Sequence, residues 1–263
     1  MCVLLYNIMS RNPVVISKDT IKRLLRDIKE LIRSPLCENG IYYHHSETDV
    51  LKGYALIIGQ QDTPYYGGYY FFEFQFPADY PHTPPIVIYH TNGLNVRFNP
   101  NFYKNGKVCI SILNTWTGEQ WSSCQTITTI LLTLCTVLCK DPLLNEPGTN
   151  KNDVNIKTYN DIITYANINI GICDVILGNI DINENFSFFN DIIYTSFLKK
   201  YDNIINLCTT NRETFLSRPV LKIDLYLMRV MINYPYVIEK VKKCKLHVEN
   251  KNIIYHNKIE LNK

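Results

Sequence analysis

No two cysteines of this chain stand in C-x-x-C spacing, although there are nine, at positions 2, 37, 109, 124, 135, 139, 173, 208 and 244. Scattered and odd in number, they suggest neither a zinc site nor a disulfide framework. A reducing compartment suits them best. No run reaches the ~20 apolar residues that span a bilayer, which argues against a membrane protein. The opening Met1-Cys2-Val3-Leu4-Leu5-Tyr6 is short for a signal peptide and lacks its basic flank. Net charge is low as well, and +3 makes no case for a nucleic-acid partner. Histidine is missing between His90 and His247. A cysteine nucleophile in that interval has no local imidazole base, so a cysteine protease stays open only through a distant histidine. His44, His45, His82 and His90 lack the paired spacing and acidic company of a metal centre, and read as satisfied or surface residues.

What is present is an ordinary soluble composition, 46% hydrophobic and 19% charged, long enough for one large or two modest domains. Heavy use of Asn, Ile, Lys and Tyr suggests an AT-rich coding genome. The run Phe98-Asn99-Pro100-Asn101-Phe102-Tyr103-Lys104-Asn105-Gly106-Lys107-Val108-Cys109-Ile110 has almost no helical or strand period. Asn105-Gly106 is a strong turn signal, both residues suiting positive φ in a tight hairpin turn. The turn folds Val108-Cys109-Ile110 back towards Asn101, eight residues before the thiol. A thiol can carry an acyl group as a thioester, and an amide N–H can hold the oxyanion when an amine attacks it. Without such chemistry, Cys109 is a small buried hydrophobe and Asn101 a turn residue.

Ser17 is placed to cap a helix with Asp19 in its first turn. Ile21, Leu24, Leu25, Ile28 and Ile32 form its apolar face, Lys18, Lys22, Arg23, Arg26 and Lys29 lie off it, and Pro35 ends it. Four strand-like runs (Ile41–His45, Gly53–Ile58, Gly68–Phe76, Pro85–His90) with short separators predict an antiparallel meander. Within the third, Tyr70, Phe72, Phe74 and Phe76 face the core, opposite Tyr69, Phe71, Glu73 and Gln75. Tyr80-Pro81-His82-Thr83-Pro84-Pro85 is a stiff surface loop, since prolines and the residues before them exclude helix. Ser122 and Gln125 have capping-box form and open a buried helix from about Gln125 to Cys139. Asp141-Pro142 ends it, Lys151–Asp153 is a boundary, and helical patterns follow at Tyr159–Leu177, Phe188–Cys208 and Leu221–Lys243, with Pro219 and Pro235 as interruptions. Residues 240–263 read as a basic, frayed tail.

The 98–110 run closely resembles the active-site segment of ubiquitin-conjugating enzymes, where His-Pro-Asn precedes the catalytic Cys by the same interval. Asp79-Tyr80-Pro81, Pro84-Pro85, Trp121-Ser122 and the long apolar helix agree in order. Asn99 in place of His, the long connection 114–121 and Asn145-Glu146-Pro147-Gly148 are similar to the large Z-type branch, whose catalytic domain is like that of the giant inhibitor-of-apoptosis hybrid enzymes. The implied fold is α+β: N-terminal helix, four-stranded antiparallel meander, active-site loop and central helix, then an all-helical C-terminal extension. The organisation implied is an N-terminal segment at 1–15, the catalytic domain at 16–152, and a helical extension with a basic tail at 153–263.

By the same resemblance Cys109 is the nucleophile that takes ubiquitin, or a ubiquitin-like protein, from an activating enzyme and passes it to a substrate lysine or a ligase. Asn101 holds the loop or stabilises the oxyanion, Asn99 joins the catalytic set, and Asn145 orients the lysine. Lys18, Lys22, Arg23 and Arg26 face the activating enzyme. His82, Ser122 and Ser123 lie in the ligase-binding loops, where His82 replaces an apolar contact and Ser123 a proline, and Trp116 lines the active-site rim. No metal or organic cofactor is required, ATP being used by the activating enzyme. The expected location is cytoplasmic or nuclear, or the host cytoplasm if the source is a large DNA virus. The rival from another class keeps the fold without the chemistry and acts as a ubiquitin- or partner-binding module, which Asn99 and Ser111 leave open.

Overall fold

The computed structural model describes residues 15–182, 184–217 and 219–261, with side chains to residue 251; segment 1–14 lies outside the described residues. The first helix, α1, spans Lys18–Arg33. Ser17 caps it, its Oγ accepting the Thr20 N–H at 2.9 Å, a contact worth ~1 kcal/mol. The face it buries only partly coincides with the apolar stripe. Thr20, Arg23, Leu24 and Asp27 turn inward, while Ile21, Leu25 and Ile32 are exposed. Arg23 Nε donates to Asp27 Oδ1 at 2.8 Å, and the Tyr80 hydroxyl donates to Asp27 Oδ2 at 2.6 Å. The rest of the guanidinium donates to the carbonyls of Ser123 and Gln125. A buried charge pair is tolerated when both partners are fully hydrogen-bonded. The helix therefore docks through a polar cluster that periodicity does not reveal.

Strands β1 (Ile41–His45), β2 (Lys52–Ile58), β3 (Tyr69–Gln75) and β4 (Ile86–Tyr89) form the antiparallel meander in chain order. Tyr70, Phe72 and Phe74 pack inward, Phe72 against Tyr89 and Phe102 with ring centroids 5.5 and 5.1 Å apart. The opposite face of the sheet is buried too, under the C-terminal extension. Phe186 lies 4.8 Å from Phe71 and 5.3 Å from Tyr54 between ring centroids. The Tyr69 hydroxyl donates to Ile193 O at 3.0 Å, and Phe188 stacks on His44. Helix α2 is shorter than expected, Ile127–Val137, about 16 Å at 1.5 Å per residue. Its capping box is Thr126 with Thr129. The Ser122–Gln125 pair instead closes the turn before it, Gln125 N–H reaching Ser122 O at 3.0 Å. No described helix is long and apolar enough to cross a membrane.

The extension departs from three expected helices. Helix α3 (Asn155–Ala166) runs into a π-helical stretch, Asn167–Asp174, and a last turn, α4 (Val175–Leu177). Here the Tyr70 hydroxyl donates to Asn167 Oδ1, and Lys240 Nζ, itself buried, sits 2.8 Å from Asp174. Helix α5 (Asn190–Phe215) is longer than its apolar pattern. The 221–243 pattern splits into a hairpin, β5 (Val220–Ile223) with β6 (Met228–Met231), and helix α6 (Tyr234–Leu261). Leu221 and Ile223 face in and Lys222 faces out, a period of two that a helical reading absorbs. Pro219 precedes the strand and Pro235 sits in the first turn of α6, where its missing N–H costs little. The supposed tail is the body of α6, with Val237, Val241, Cys244 and Val248 forming a buried seam.

Candidate active site

The 98–110 segment is held by its own polar atoms more than by strand pairing. Cys109 N–H donates to Asn101 O at 2.8 Å, and the Asn101 side-chain amide donates back to Cys109 O at 2.7 Å. The hairpin between them turns at Lys104-Asn105, with Gly106 N–H on Tyr103 O at 2.9 Å and Gly106 at φ +88°. Of the Asn105-Gly106 pair, only the glycine adopts positive φ, and Asn105 Oδ1 instead accepts the Lys107 N–H at 3.1 Å. Cys109 is 2% exposed. Asn101 is buried beside it, and among the described residues its Oδ1 has no hydrogen-bond partner.

Beyond the thiol, the Thr115 hydroxyl clasps the chain. It accepts the Ile110 N–H at 3.0 Å and lies 3.0 Å from Val108 O and 3.1 Å from Ile110 O. The connection 114–121 is closed by Asn114 Oδ1, which accepts the Trp121 N–H at 2.8 Å. Half-buried Trp116 is thus one residue from the clasp. Trp121 packs on the core, and its indole N–H donates to Pro81 O at 2.8 Å. That bond draws the His82 loop and the Ser122-Ser123 loop together, with all three of these side chains exposed.

Three of the assigned residues, Asn99, Asn145 and Arg23, have polar groups engaged inside the fold. Asn99 is 0% exposed. Its Nδ2 donates to Tyr65 Oη at 2.9 Å and Val137 O at 2.8 Å, and its Oδ1 accepts the Asn101 N–H at 2.9 Å. With all its amide atoms engaged, Asn99 is a brace under the loop rather than a group that meets substrate. Asn145 Nδ2 also donates to Val137 O, at 3.1 Å, so both asparagines satisfy the carbonyl left over at the end of α2. The acid beside it, Glu146, is held by the Tyr226 hydroxyl from the far hairpin. Arg23 is likewise withdrawn from the basic surface of α1, being 8% exposed. Lys18, Lys22 and Arg26 are exposed, and Lys22 and Arg26 border a groove of about 520 Å³ with Leu25.

Arg97, Thr115 and Tyr226 escaped the sequence reading. Arg97 lies with its guanidinium carbon 3.6 Å from the Tyr103 ring and 4.6 Å from the Tyr226 ring. Its carbonyl accepts the Tyr159 hydroxyl at 2.8 Å, so one residue couples the loop to α3 and to the hairpin. Tyr226 and Glu146 are 80 residues apart, a distance no local pattern bridges.

The family model for ubiquitin-conjugating enzyme matches residues 23–165. The chain belongs to that family. It is 39% identical over 195 residues to ubiquitin-conjugating enzyme E2 Z of Danio rerio, covering 73% of this chain and 58% of the relative. The Homo sapiens E2 Z is 40% identical over 183 residues, covering 68% and 50%. A probable ubiquitin-conjugating enzyme E2 25 of Arabidopsis thaliana is 43% identical over 138 residues, covering 50% and 22%. These relatives place the chain in the Z-type branch. The chain spans only about half the length of the E2 Z relatives it matches. The matched residues end inside α3, so the hairpin that carries Tyr226 lies beyond the family domain.

Proposed function

We propose that Cys109 accepts the C-terminal acyl group of ubiquitin, or of a ubiquitin-like protein, from an activating enzyme. The thiolate attacks the activating enzyme's thioester carbonyl, a new C–S bond forms, and the activating enzyme's sulfur departs. Cys109 then yields the acyl group to a substrate lysine or to a ligase cysteine. The observation that carries this reading is the reciprocal pair of hydrogen bonds between Asn101 and Cys109, which sets one thiol on a braced, irregular loop of a family domain. Exposed Lys18, Lys22 and Arg26 offer a face for the activating enzyme, and the loops joined by Trp121 offer one for a ligase. The compartment is a reducing one, cytoplasmic or nuclear.

The burial of Cys109 favours a second reading, in which the fold serves as a partner-binding module. One assay separates them. Native protein and Cys109→Ser are incubated with ATP, activating enzyme and labelled ubiquitin, and run on non-reducing gels. A thiol-sensitive adduct, replaced in the variant by none or by a thiol-resistant ester, supports the transferase. No adduct with any activating enzyme or modifier supports the binding module.

A further inference from the structure

The outer face of the β5–β6 hairpin pairs like with like. Val220 lies opposite Met231, and Lys222 opposite Arg229, in the antiparallel register. Leu221, Ile223, Met228 and Val230 turn inward, while Lys222, Arg229 and Met231 are exposed, as is Leu227 at the tip. The outer face is therefore an apolar pair beside a cationic pair. Like charges directly opposite each other destabilise a strand pair. Asp224 answers only one of these two, lying 2.6 Å from Lys222 Nζ. Among the described residues the Arg229 guanidinium has neither an ion-pair nor a hydrogen-bond partner. The tip is fixed in place. Tyr226 and Leu227 adopt positive φ, at 65° and 52°, a strained conformation that persists where surrounding contacts over-determine it. The Tyr226 ring faces the Arg97 guanidinium, and its carbonyl accepts Lys104 Nζ at 3.3 Å. Lys104 belongs to the 98–110 segment and is itself exposed, its ammonium also reaching Asn95 Oδ1 at 2.8 Å. The tip thus meets the active-site segment with a third exposed cation at the join.

We propose that the outer face of this hairpin docks an acidic segment of the protein that receives the modifier. Its carboxylates meet Lys222 and Arg229, and an apolar side chain covers Met231 beside Val220. The proposal rests on Cys109 carrying the thioester. A carboxylate-rich partner relieves the repulsion between Lys222 and Arg229, which a neutral or basic one does not. The join at Lys104 favours an acceptor as the occupant: holding it beside the active-site segment raises the effective concentration of its lysine. Exposed ion pairs contribute little each, which suits a partner that leaves after one transfer. The extension, outside the matched domain, then contributes to the choice of acceptor.

The test uses the full chain loaded with labelled ubiquitin by activating enzyme and ATP. It is chased with free lysine, or with peptides of equal length that carry one lysine beside an Asp/Leu, a Ser/Leu or a Lys/Leu tract. Native protein should reach half-maximal discharge at an Asp/Leu peptide concentration about fivefold below that of the Ser/Leu peptide, the scale of two exposed ion pairs. Maximal rates should be equal, and salt raised from about 50 to about 300 mM should close the gap. Lys222→Glu combined with Arg229→Glu should lose that preference and favour the Lys/Leu peptide, a reversal that a misfolded hairpin does not produce. Loading and free-lysine discharge should stay native in the double variant. Equal half-maximal concentrations for the Asp/Leu and Ser/Leu peptides in native protein overturn the proposal. So does a variant that loses as much with free lysine as with the Asp/Leu peptide, or one that is slowed in loading. Failure of native protein to load is recognised by the missing adduct and removes the thioester reading, and the acceptor role with it. The surface is read separately, by fluorescence anisotropy of labelled Asp/Leu peptide on the unloaded chain. Binding that the double variant weakens supports it, whereas no binding, or tighter binding of a labelled oligonucleotide, overturns it.

Discussion

Asn101 and Cys109 hold each other twice, backbone N–H to backbone carbonyl and side-chain amide to backbone carbonyl, at 2.8 and 2.7 Å. Sequence alone leaves two roles for Asn101, loop support or an oxyanion donor. The geometry favours the first, since an amide N–H is already given to the loop. Asn101→Ala is therefore expected to slow loading and lysine discharge together. Slowing of discharge alone by roughly 10²–10³, the scale of one oxyanion donor, would restore the second role. Single-turnover kinetics of each half-reaction decide it.

Thr115 makes the corresponding contact on the other side of the thiol. Thr115→Val keeps the shape and leaves the Ile110 N–H without its partner, at a cost of about 1–3 kcal/mol. With the clasp gone, Cys109 should open more often. The expected result is a lower melting temperature and faster alkylation of Cys109 by iodoacetamide, read by mass spectrometry. Alkylation at the native rate would show that the clasp does not control access.

What the sequence disclosed and concealed follows from the range of the interactions. The meander was legible because strand period and turn residues act over a few positions, and Ser17 capped its helix for the same reason. Asn101 and Cys109 were legible because eight residues and one turn join them. Arg23 was misread because its partners Ser123 and Gln125 lie 100 and 102 residues away. The hairpin was misread because Leu221, Leu225 and Met228 also fall at helical spacing, which masks the period-two alternation of Leu221 and Ile223 over so short a run. Ser122–Gln125 has the composition of a capping box and Thr126–Thr129 does not, yet it is Thr126 that caps α2, where Ile127 and Ile130 pack into the core.

Arg23 gives a stability contrast within one helix. Arg23→Ala removes the partner of buried Asp27, whose other hydrogen bond comes from Tyr80. Breaking one side of such a pair typically costs about 3–5 kcal/mol. Lys22→Ala, one residue away on the exposed face, should stay within about 0.5 kcal/mol in urea unfolding. Its expected effect is on loading, as a higher activating-enzyme concentration for half-maximal rate. Equal stability losses in the two variants would refute the buried role of Arg23.

His45 ties stability to pH. Its Nε2–H donates to Val50 O at 2.9 Å, which leaves Nδ1 to accept the Tyr43 hydroxyl at 2.8 Å. Burial pushes the imidazole below its ordinary value of about 6.5, against a smaller upward pull from the Val50 carbonyl. Burial lowers His90 as well, opposed by Glu73. Between the unfolded and folded values the unfolded chain binds more protons, so stability falls as pH falls. Their contribution is complete above pH of about 6.5 and is lost as pH drops through the lower folded values. Protonated Nδ1 would also face the Tyr43 hydroxyl with a second donor, and the hydroxyl would have to turn. Melting temperatures measured from pH 7.5 to 5.5 should decline in native protein and decline less in His45→Gln, whose amide offers one donor and one acceptor without titrating. Parallel curves for the two proteins would mean that protonation of His45 costs the fold nothing, and would leave His90 beside Glu73 as the group to replace next.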